Sequence, residues 1–323
     1  MGKTFFTSKS LFVALILVVV AALAPSFSSA TGRTGQTDTL EPSSVLYDSA
    51  NNAVWVANAG SDSVLKVSAS TGAVVGSITT GSTPRALAME GTNIWVANQN
   101  ADTVTKLRAS DGVKLGTYAV GRSPIAIYIQ GTIVWVANFG SDNVTKLNAS
   151  TGAALGTYTV GDGPAGLTGD GINLWVVNQN SNSVTKLSAA GVTLGTYAVG
   201  KAPSAAAFDG TNILVANSQS DDVTKLRASD GVVLATYTVG DNPLAVAACD
   251  GNVWVANQFS HSVTKINGTT GATLGNYSVG DAPASLLCDG TGSVWVANFG
   301  SRNVTKLRAS DGANLGTFGI TTP

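Results

Sequence analysis

Charged residues are scarce in this chain of 323 residues, and two residue types that often build active sites are almost missing. Charged side chains make up 11% of the sequence, histidine occurs once, at His261, and glutamate occurs only at Glu41 and Glu90. The formal net charge is −1, and no run of lysine or arginine exists. A nucleic-acid-binding surface needs a concentration of basic side chains to neutralise phosphates. We therefore expect no nucleic acid among the partners of this protein.

Long hydrophobic runs are missing after the first 30 residues. The one long apolar run, at residues 11–24, follows two lysines and precedes small residues. That order is typical of a cleaved export signal, and the run is short for a membrane-spanning helix. We predict a signal peptide at residues 1–30 and an N-terminal extension at residues 31–39. The mature protein is expected to be secreted, periplasmic or at the cell surface, without insertion in a membrane.

The sequence is rich in one motif, which it repeats seven times. The asparagine of a Trp-Val-Ala-Asn-like segment recurs at intervals of 40, 40, 40, 39, 40 and 41 residues, and a lysine follows each asparagine after eight residues. The asparagines are Asn58, Asn98, Asn138, Asn178, Asn217, Asn257 and Asn298, and the lysines are Lys66, Lys106, Lys146, Lys186, Lys225, Lys265 and Lys306. A period of about 40 residues with several short strands is typical of a β-propeller with one blade per repeat.

The third repeat shows how each blade is predicted. Four segments rich in β-branched and aromatic residues are separated by turns rich in Gly, Asn and Ser. They are residues 124–129, 134–138, 144–147 and 155–160. We predict an all-β fold, a seven-bladed β-propeller of four-stranded antiparallel blades at residues 40–320. Residues 35–40 are a candidate for an additional strand in the last blade, although the whole repeats do not require one.

These residues resemble known propeller families. The segment from Val134 to Pro164, VWVANFGSDNVTKLNASTGAALGTYTVGDGP, is similar to the YVTN-type and NHL-like repeats of exported bacterial and archaeal proteins. It is also similar to the propeller of streptogramin B (virginiamycin B) lyases. The resemblance covers essentially the whole mature chain and implies the propeller fold. Because propellers host binding, scaffolding and catalysis alike, it leaves the function open.

The lyase resemblance implies a His and Glu constellation with a divalent metal on one face, and this chain departs from that pattern. His261 is the single histidine, Glu41 precedes the first blade, and Glu90 lies in a turn. The histidine and glutamate side chains that would bind a metal ion or act as a general base are therefore largely missing. Nucleophile-elbow and phosphate-loop motifs are missing too. We expect no catalytic residue, no metal and no cofactor, although a carboxylate pair from loop residues such as Asp241 and Asp281 stays open.

Residues that recur in every repeat are interpreted as architecture. The six tryptophans share one position, where Leu214 replaces the seventh, and we expect them to pack between blades rather than to bind sugars or bases. Tyrosines and Phe318 share an outer-strand position and are expected in the core. The lysine ring is a candidate site for an anionic polymer, but packed stems with amines reaching water or an aspartate are favoured. The asparagines are expected to satisfy loop backbone groups.

Each of the two cysteines, Cys249 and Cys288, precedes Asp-Gly at the end of a first strand. The same position is mostly apolar in the other repeats, so we interpret both cysteines as small buried hydrophobic residues. Export favours a disulfide. However, equivalent positions on neighbouring blades are related by rotation, so the two Cβ vectors are expected to point the same way round the ring. Pairing stays open as the less favoured alternative.

The repeats differ most in two sets of loops, one after each second strand and one before each first-strand proline. Strand alternation places both sets on one rim, which we name the variable rim. Aromatic side chains beside arginines and amides are typical of recognition surfaces. The candidate ligand-binding residues are Phe139, Phe259, Phe299, His261, Arg122, Arg302, Gln99, Gln179 and Gln258. Drift in tolerant loops is the alternative interpretation.

Three functions are compatible with this pattern. The preferred hypothesis is a monomeric, exported, non-enzymatic propeller that binds a protein or a cell-envelope glycan through the variable rim. The first alternative is a lyase-like or hydrolytic enzyme acting near His261 with a divalent metal. The second is a structural component of a cell surface or matrix, which the low charge and the high repeat fidelity favour.

Overall fold

The computed structural model describes residues 19–20 and 41–319, and the second range forms seven four-stranded antiparallel sheets arranged as the blades of a propeller. Within each blade the strands pair in chain order. The seven-bladed all-β fold predicted from the 40-residue period is therefore confirmed. In blade 3 the strand bounds differ from the predicted ones by one residue at most.

The first four blades occupy residues 42–198. Blade 1 consists of Pro42–Asp48, Ala53–Asn58, Ser63–Ser68 and Val74–Thr79. Blade 2 consists of Pro84–Glu90, Asn93–Asn98, Thr103–Arg108 and Lys114–Ala119. Blade 3 consists of Pro124–Gln130, Ile133–Asn138, Asn143–Asn148 and Ala154–Thr159. Blade 4 consists of Pro164–Gly169, Leu174–Asn178, Ser183–Leu187 and Thr193–Ala198.

The last three blades occupy residues 203–319. Blade 5 consists of Pro203–Phe208, Asn212–Asn217, Asp222–Arg227 and Val233–Thr238. Blade 6 consists of Pro243–Cys249, Asn252–Asn257, Ser262–Asn267 and Thr273–Ser278. Blade 7 consists of Pro283–Cys288, Ser293–Asn298, Asn303–Arg308 and Asn314–Gly319.

Helical structure in the described part of the chain is limited to three single 3₁₀ turns after the second strands of blades 1, 2 and 3. They are Ala59–Ser61, Gln99–Ala101 and Phe139–Ser141. No helix among residues 19–20 and 41–319 is long and apolar enough to cross a membrane.

The predicted signal peptide and extension fall mostly outside the described residues. The exception is Val19–Val20, a two-residue strand that pairs antiparallel with the first strand of blade 4, with Val19 opposite Leu167 and Val20 opposite Gly166. The candidate additional strand at residues 35–40 also lies outside the described residues.

The hydrophobic core lies between successive blades. Trp95 of blade 2 packs with Val134 of blade 3, and Trp135 of blade 3 packs with Leu174 of blade 4. All six tryptophans are at most 1% exposed. The outer-strand aromatic residue lies against the tryptophan of its own blade, as Tyr118 does against Trp95, with ring centroids 5.4 Å apart. The prediction that both repeated aromatic positions belong to the core is confirmed.

Blades 7 and 1 close the ring through the same kind of contact. Val54 of blade 1 lies in one apolar cluster with Trp295 of blade 7, and Phe318 packs against that cluster. Gly72 of blade 1 has a φ of +72°, and a Cβ atom there would overlap the ring of Phe318. Glycine is required at this position both for the left-handed backbone and for the close approach of the ring.

The repeated lysines join blades 1 to 6 each to the next blade. The Nζ atom of Lys66 donates hydrogen bonds to the carbonyl oxygens of Ala109 and Ser110 in blade 2, at 3.0 and 2.9 Å. Similarly, the Nζ atom of Lys186 donates to the carbonyl oxygen of Ala228, at 2.6 Å. In six blades the ammonium also lies 4.7–5.3 Å from the ring centroid of a tryptophan, where a cation is attracted to the π face. The sequence did not reveal the carbonyl acceptors on the neighbouring blade.

In blades 2 to 7 the repeated asparagines connect the second and third strands. Asn178 is fully buried, and its Nδ2 atom donates to the hydroxyls of Ser183 and Thr185 at 3.1 and 2.9 Å. Gly161 packs directly on this amide, where a Cβ atom would come within 2.8 Å of it. The structural interpretation of the asparagines is confirmed: besides the bonds to the third strand, Oδ1 of Asn58 accepts the N–H of Glu41 and Oδ1 of Asn98 accepts the N–H of Gly81, both in the preceding loop.

Cys249 and Cys288 form a disulfide between blades 6 and 7, with Cα atoms 6.2 Å apart. The expectation that favoured two unpaired cysteines is therefore wrong, because the two residues are not equivalent. In the strand register Cys288 corresponds to Ala248, whereas Cys249 lies one residue further, opposite Asn252. Successive side chains project from opposite faces of a strand. Cys249 therefore faces blade 7, and Cys288 faces blade 6.

Candidate functional site

Backbone hydrogen bonds hold the two variable loop sets together. In blade 2 the N–H of Gln99 donates to the carbonyl oxygen of Thr83 at 2.9 Å. In blade 6 the N–H of Phe259 donates to the carbonyl oxygen of Asp241 at 3.2 Å. The loop after each second strand thus lies against the loop before the first strand of the same blade. Both sets share one rim of the propeller.

In blades 1 to 6 a left-handed residue before the third strand ties its loop to the next blade. Asp142 has a φ of 54°, and its Oδ1 atom accepts the N–H of Gly163 at 2.8 Å. In blade 6 this position is His261, with a φ of 49°, whose Nδ1 atom accepts the N–H of Ala282 at 3.0 Å. The same nitrogen lies 3.9 Å from Oδ1 of Asp281. The imidazole of His261 thus replaces a carboxylate in a structural hydrogen bond, which the sequence did not indicate.

The three candidate phenylalanines differ in exposure. Phe139 packs against a small cluster that contains Ile125, and Phe299 packs against one that contains Leu244. Both rings are partly buried. Phe259 is 62% exposed, the one aromatic side chain among the strongly exposed hydrophobic residues of the described chain. Of the three, Phe259 is therefore the ring available to a ligand.

Three further candidates, Gln99, Arg122 and Arg302, belong to the loops of blades 2, 3 and 7. Arg122 and Arg302 are exposed, and Arg302 occupies the left-handed position of blade 7. The Oε1 atom of Gln99 accepts a hydrogen bond from Nε of Arg85 at 2.6 Å. Burial lowers the pKa of the Arg85 guanidinium, and the charge of Glu41 opposes that change. The side chain of Gln99 is thus hydrogen-bonded to a partly buried cation.

A groove crosses blades 4, 5 and 6 on the variable rim. Its volume is about 840 Å³, within the range of small-molecule binding sites. We name it the rim groove. It is lined by Gln179, Asn180, Ala202, Ser218, Gln219, Asp221, Asp241, Asn242, Gln258 and Phe259.

Small side chains in blade 5 create the rim groove. Ser218 follows the asparagine of the second strand, the position that Phe139 and Phe299 occupy in their blades. Ser218 is 8% exposed, and its hydroxyl donates to the carbonyl oxygen of Ala202 at 2.9 Å. Because a serine and an alanine form this part of the lining, the longer side chains of blades 4 and 6 stand above it.

Amide and carboxylate groups dominate the lining of the rim groove, and none of its lining residues is a lysine or an arginine. Asn242 donates from Nδ2 to Oε1 of Gln258 at 2.6 Å, and its own N–H donates to Oδ1 of Asp221 at 2.8 Å. Beside the groove, burial raises the pKa of the Asp222 carboxyl; a hydrogen bond from Asn217 lowers it, and the charge of Asp221 raises it further. Two aspartates, Asp221 and Asp241, make the groove acidic.

The structure brings together three of the nine candidate residues, Gln179, Gln258 and Phe259, in the rim groove. The remaining six are not among its lining residues. The sequence analysis did not select Asp221 and Asn242 as candidates. In sequence, Ser218 is smaller than the glutamine or phenylalanine at this position in blades 2, 3, 4, 6 and 7, but blade 1 has Ala59 there, so the position alone did not single out blade 5. Among residues 41–319, no group of three His, Cys, Asp or Glu side chains is placed to hold a metal ion.

Comparison with solved structures finds β-propellers of low sequence identity. Hydrazine synthase of Kuenenia stuttgartiensis superposes with a TM-score of 0.77 at 19% identity, covering 88% of this chain and 99% of that one. A streptogramin B lyase superposes with a TM-score of 0.73 at 18% identity, covering 83% of this chain and 93% of that one. A functionally unknown protein from Desulfotomaculum acetoxidans superposes with a TM-score of 0.73 at 14% identity, covering 83% of this chain and 95% of that one.

Sequence comparisons add no family to this result. No protein-family model matches the chain, and no curated protein matches it. The similarity to solved structures at these identities shows the fold alone, since one propeller scaffold serves unrelated functions. The chain is thus similar to a streptogramin B lyase and to a hydrazine synthase as a seven-bladed β-propeller.

Proposed function

We propose that this protein is an exported, non-enzymatic β-propeller that binds a neutral carbohydrate, such as a cell-envelope glycan, in the rim groove. The observation that carries the proposal is the ring of Phe259, which is 62% exposed at the groove. An exposed aromatic side chain offers a large, rigid apolar face. The C–H face of a pyranose ring can stack on such a surface while its hydroxyls remain free for hydrogen bonds.

The polar lining of the groove complements the hydroxyls of a sugar. Each glutamine or asparagine side chain offers two N–H donors and one acceptor oxygen, and each carboxylate offers acceptors only. Gln179, Asn180 and Gln219 in the lining supply both N–H donors and acceptor oxygens. With Asp221 and Asp241 in the lining and no basic residue, an anionic ligand would be repelled. A neutral, hydroxyl-rich ligand fits these groups best.

Export forms part of the proposal because of the apolar run at residues 11–24. That run follows basic residues and precedes small ones, as in secretory signals. The enzyme alternative near His261 has less support, since Nδ1 of this imidazole accepts the N–H of Ala282. A structural matrix role is the other outcome that the experiment below distinguishes.

The experiment is a screen of the purified protein against a panel of neutral and acidic oligosaccharides, together with two variants. Phe259→Ser removes the exposed ring of the groove. Val75→Ser removes a side chain that is 61% exposed on an outer strand, so it serves as the matched control. We expect wild type and Val75→Ser to retain the same neutral glycans, and Phe259→Ser to lose them.

Each other outcome would contradict the proposal. Retention of acidic glycans only, or equal retention by wild type and Phe259→Ser, would exclude the groove as a neutral carbohydrate site. Binding to none of the glycans with concentration-dependent assembly of the protein would favour the matrix role.

A further inference from the structure

Six blades show how this repeat holds an indole ring. The lysine ammonium lies over the ring at 4.7–5.3 Å from its centroid. In four blades the indole N–H also donates to a side-chain oxygen at the end of the first strand. The four pairs are Trp55 with Asp48 at 3.3 Å, Trp135 with Gln130 at 3.1 Å, Trp175 with Asp170 at 2.9 Å and Trp295 with Asp289 at 3.1 Å.

Blade 5 retains the groups around the ring but not the ring itself. Leu214 occupies the tryptophan position and pairs with Lys225 in the strand register, as the tryptophans pair with their lysines. Nζ of Lys225 lies 3.6 Å from Oδ2 of Asp209 and donates to the carbonyl oxygen of Gly268 at 2.7 Å. The cation and the carboxylate that hold an indole in blade 4 are therefore both present in blade 5.

A cavity of about 450 Å³ lies between blades 5 and 6 on the face opposite the variable rim. Its walls include Asp209, Lys225 and Gly268, the counterparts of Asp170, Lys186 and Ala228 around the Trp175 indole. Phe208 and Val253 add apolar surface. Leu214 itself is fully buried and is not among the lining residues, so the cavity lies beside the tryptophan position, next to Lys225 and Val253. The volume is within the range of about 300–1,000 Å³ for small-molecule sites.

We propose that this cavity binds a planar aromatic heterocycle that carries an N–H donor, of which indole is the simplest probe. The ring lies beneath the ammonium of Lys225, where a cation–π contact stabilises it. The N–H donates to the carboxylate of Asp209, and a hydrogen bond to a charged acceptor is stronger than a neutral one. The ligand thus makes, beside Leu214, the two contacts that the Trp175 indole makes in blade 4.

The test is a calorimetric titration of the full-length protein with indole and with benzofuran. Benzofuran has nearly the same shape but carries a ring oxygen in place of the N–H group. We expect indole to bind wild type at least about tenfold more tightly than benzofuran, since tenfold corresponds to the loss of one hydrogen bond. We expect Leu214→Trp to abolish indole binding, because the new indole takes up the contacts with Lys225 and Asp209, as Trp175 does with Lys186 and Asp170.

A second variant keeps the proposal falsifiable if Leu214→Trp does not fold. Lys225→Met retains a long apolar stem and removes the cation, and it is expected to weaken indole binding at least about tenfold. No binding of indole to wild type, equal affinity for indole and benzofuran, or undiminished binding by Leu214→Trp or by Lys225→Met would overturn the proposal. The Phe259→Ser variant leaves this cavity intact, so the result is independent of glycan binding at the rim.

Discussion

At the residue scale, the repeat conserves a hydrogen-bond role at the left-handed loop position while the residue type changes. Asp62, Asn182 and His261 all have φ near 50° and all accept the N–H of a residue just before the next blade. Asp, Asn and His are the non-glycine residues that most readily adopt this conformation. A lone histidine in a loop gave no sign of this role, because its partner is 21 residues away.

The role of His261 predicts different effects for two substitutions. His261→Asp restores the acceptor found in blades 1, 2, 3 and 5, so we expect the free energy of unfolding to stay close to that of wild type. His261→Ala leaves the N–H of Ala282 without this acceptor, and we expect it to lower the free energy of unfolding by about 0.5–1.5 kcal/mol. Urea unfolding of the three proteins measures the difference. Equal destabilisation by both substitutions would contradict the structural role.

Asp170 provides a prediction on pH. Burial raises the pKa of its carboxyl, but hydrogen bonds from the N–H groups of Asn173 and Ile172 and from the Trp175 indole outweigh burial and lower the pKa below its ordinary value. A carboxyl whose pKa is lower in the folded than in the unfolded state stabilises the fold at pH values above its unfolded pKa of about 3.9. This stabilisation is lost as the pH falls through the folded pKa. Stability should therefore fall more steeply below about pH 4 in wild type than in Asp170→Asn.

Urea unfolding at several pH values measures this difference between wild type and Asp170→Asn. Other aspartates contribute to the same window, among them Asp289, whose pKa is also lowered against the effect of burial by hydrogen bonds from Ser293, Thr291 and the Trp295 indole. The comparison of the two proteins isolates the contribution of Asp170. Parallel stability curves between about pH 2 and pH 6 would contradict the account.

At the element scale, the strand register of blade 6 explains the error about the cysteines. The sequence analysis aligned Cys249 and Cys288 by the Asp-Gly that follows each, whereas the register is set by the tryptophan and the proline of each blade. The first strand of blade 6 continues to Cys249, opposite Asn252, and places a cysteine where Asp170 and Asp289 accept an indole hydrogen bond. A shift of one residue reverses the face from which a side chain projects.

The disulfide predicts a redox-dependent stability. It closes a segment with a sequence separation of 39 residues between blades 6 and 7. A loop of this length corresponds to about 3–4 kcal/mol of stabilisation in the chain-entropy model. We expect Cys249→Ala/Cys288→Ala, or a thiol reductant on wild type, to lower the melting temperature to a similar extent. The reductant should have no effect on the double variant, and an effect of the same size there would contradict this interpretation.

At the scale of the whole molecule, the 40-residue period predicted the ring of seven blades, whereas the sequences of the individual loops did not predict the rim groove. The repeats specify blades, turns and the packing of tryptophan between neighbours, since each of these depends on one repeat or two. The rim groove depends on three blades at once: a small Ser218 in blade 5 between Gln179 of blade 4 and Phe259 of blade 6. Phe139 and Phe299 directly follow the asparagine of the second strand, whereas Phe259 lies one residue further along, and the first two rings pack against neighbouring apolar side chains.

The most direct test of the account is the affinity of Phe259→Ser for the neutral oligosaccharide that wild type binds best, measured by titration calorimetry with Val75→Ser as the control. The account predicts that the Kd rises at least about tenfold for Phe259→Ser, a loss of about 1.4 kcal/mol, and stays unchanged for Val75→Ser. An unchanged Kd for a folded Phe259→Ser protein would contradict the claim that the rim groove is the binding site.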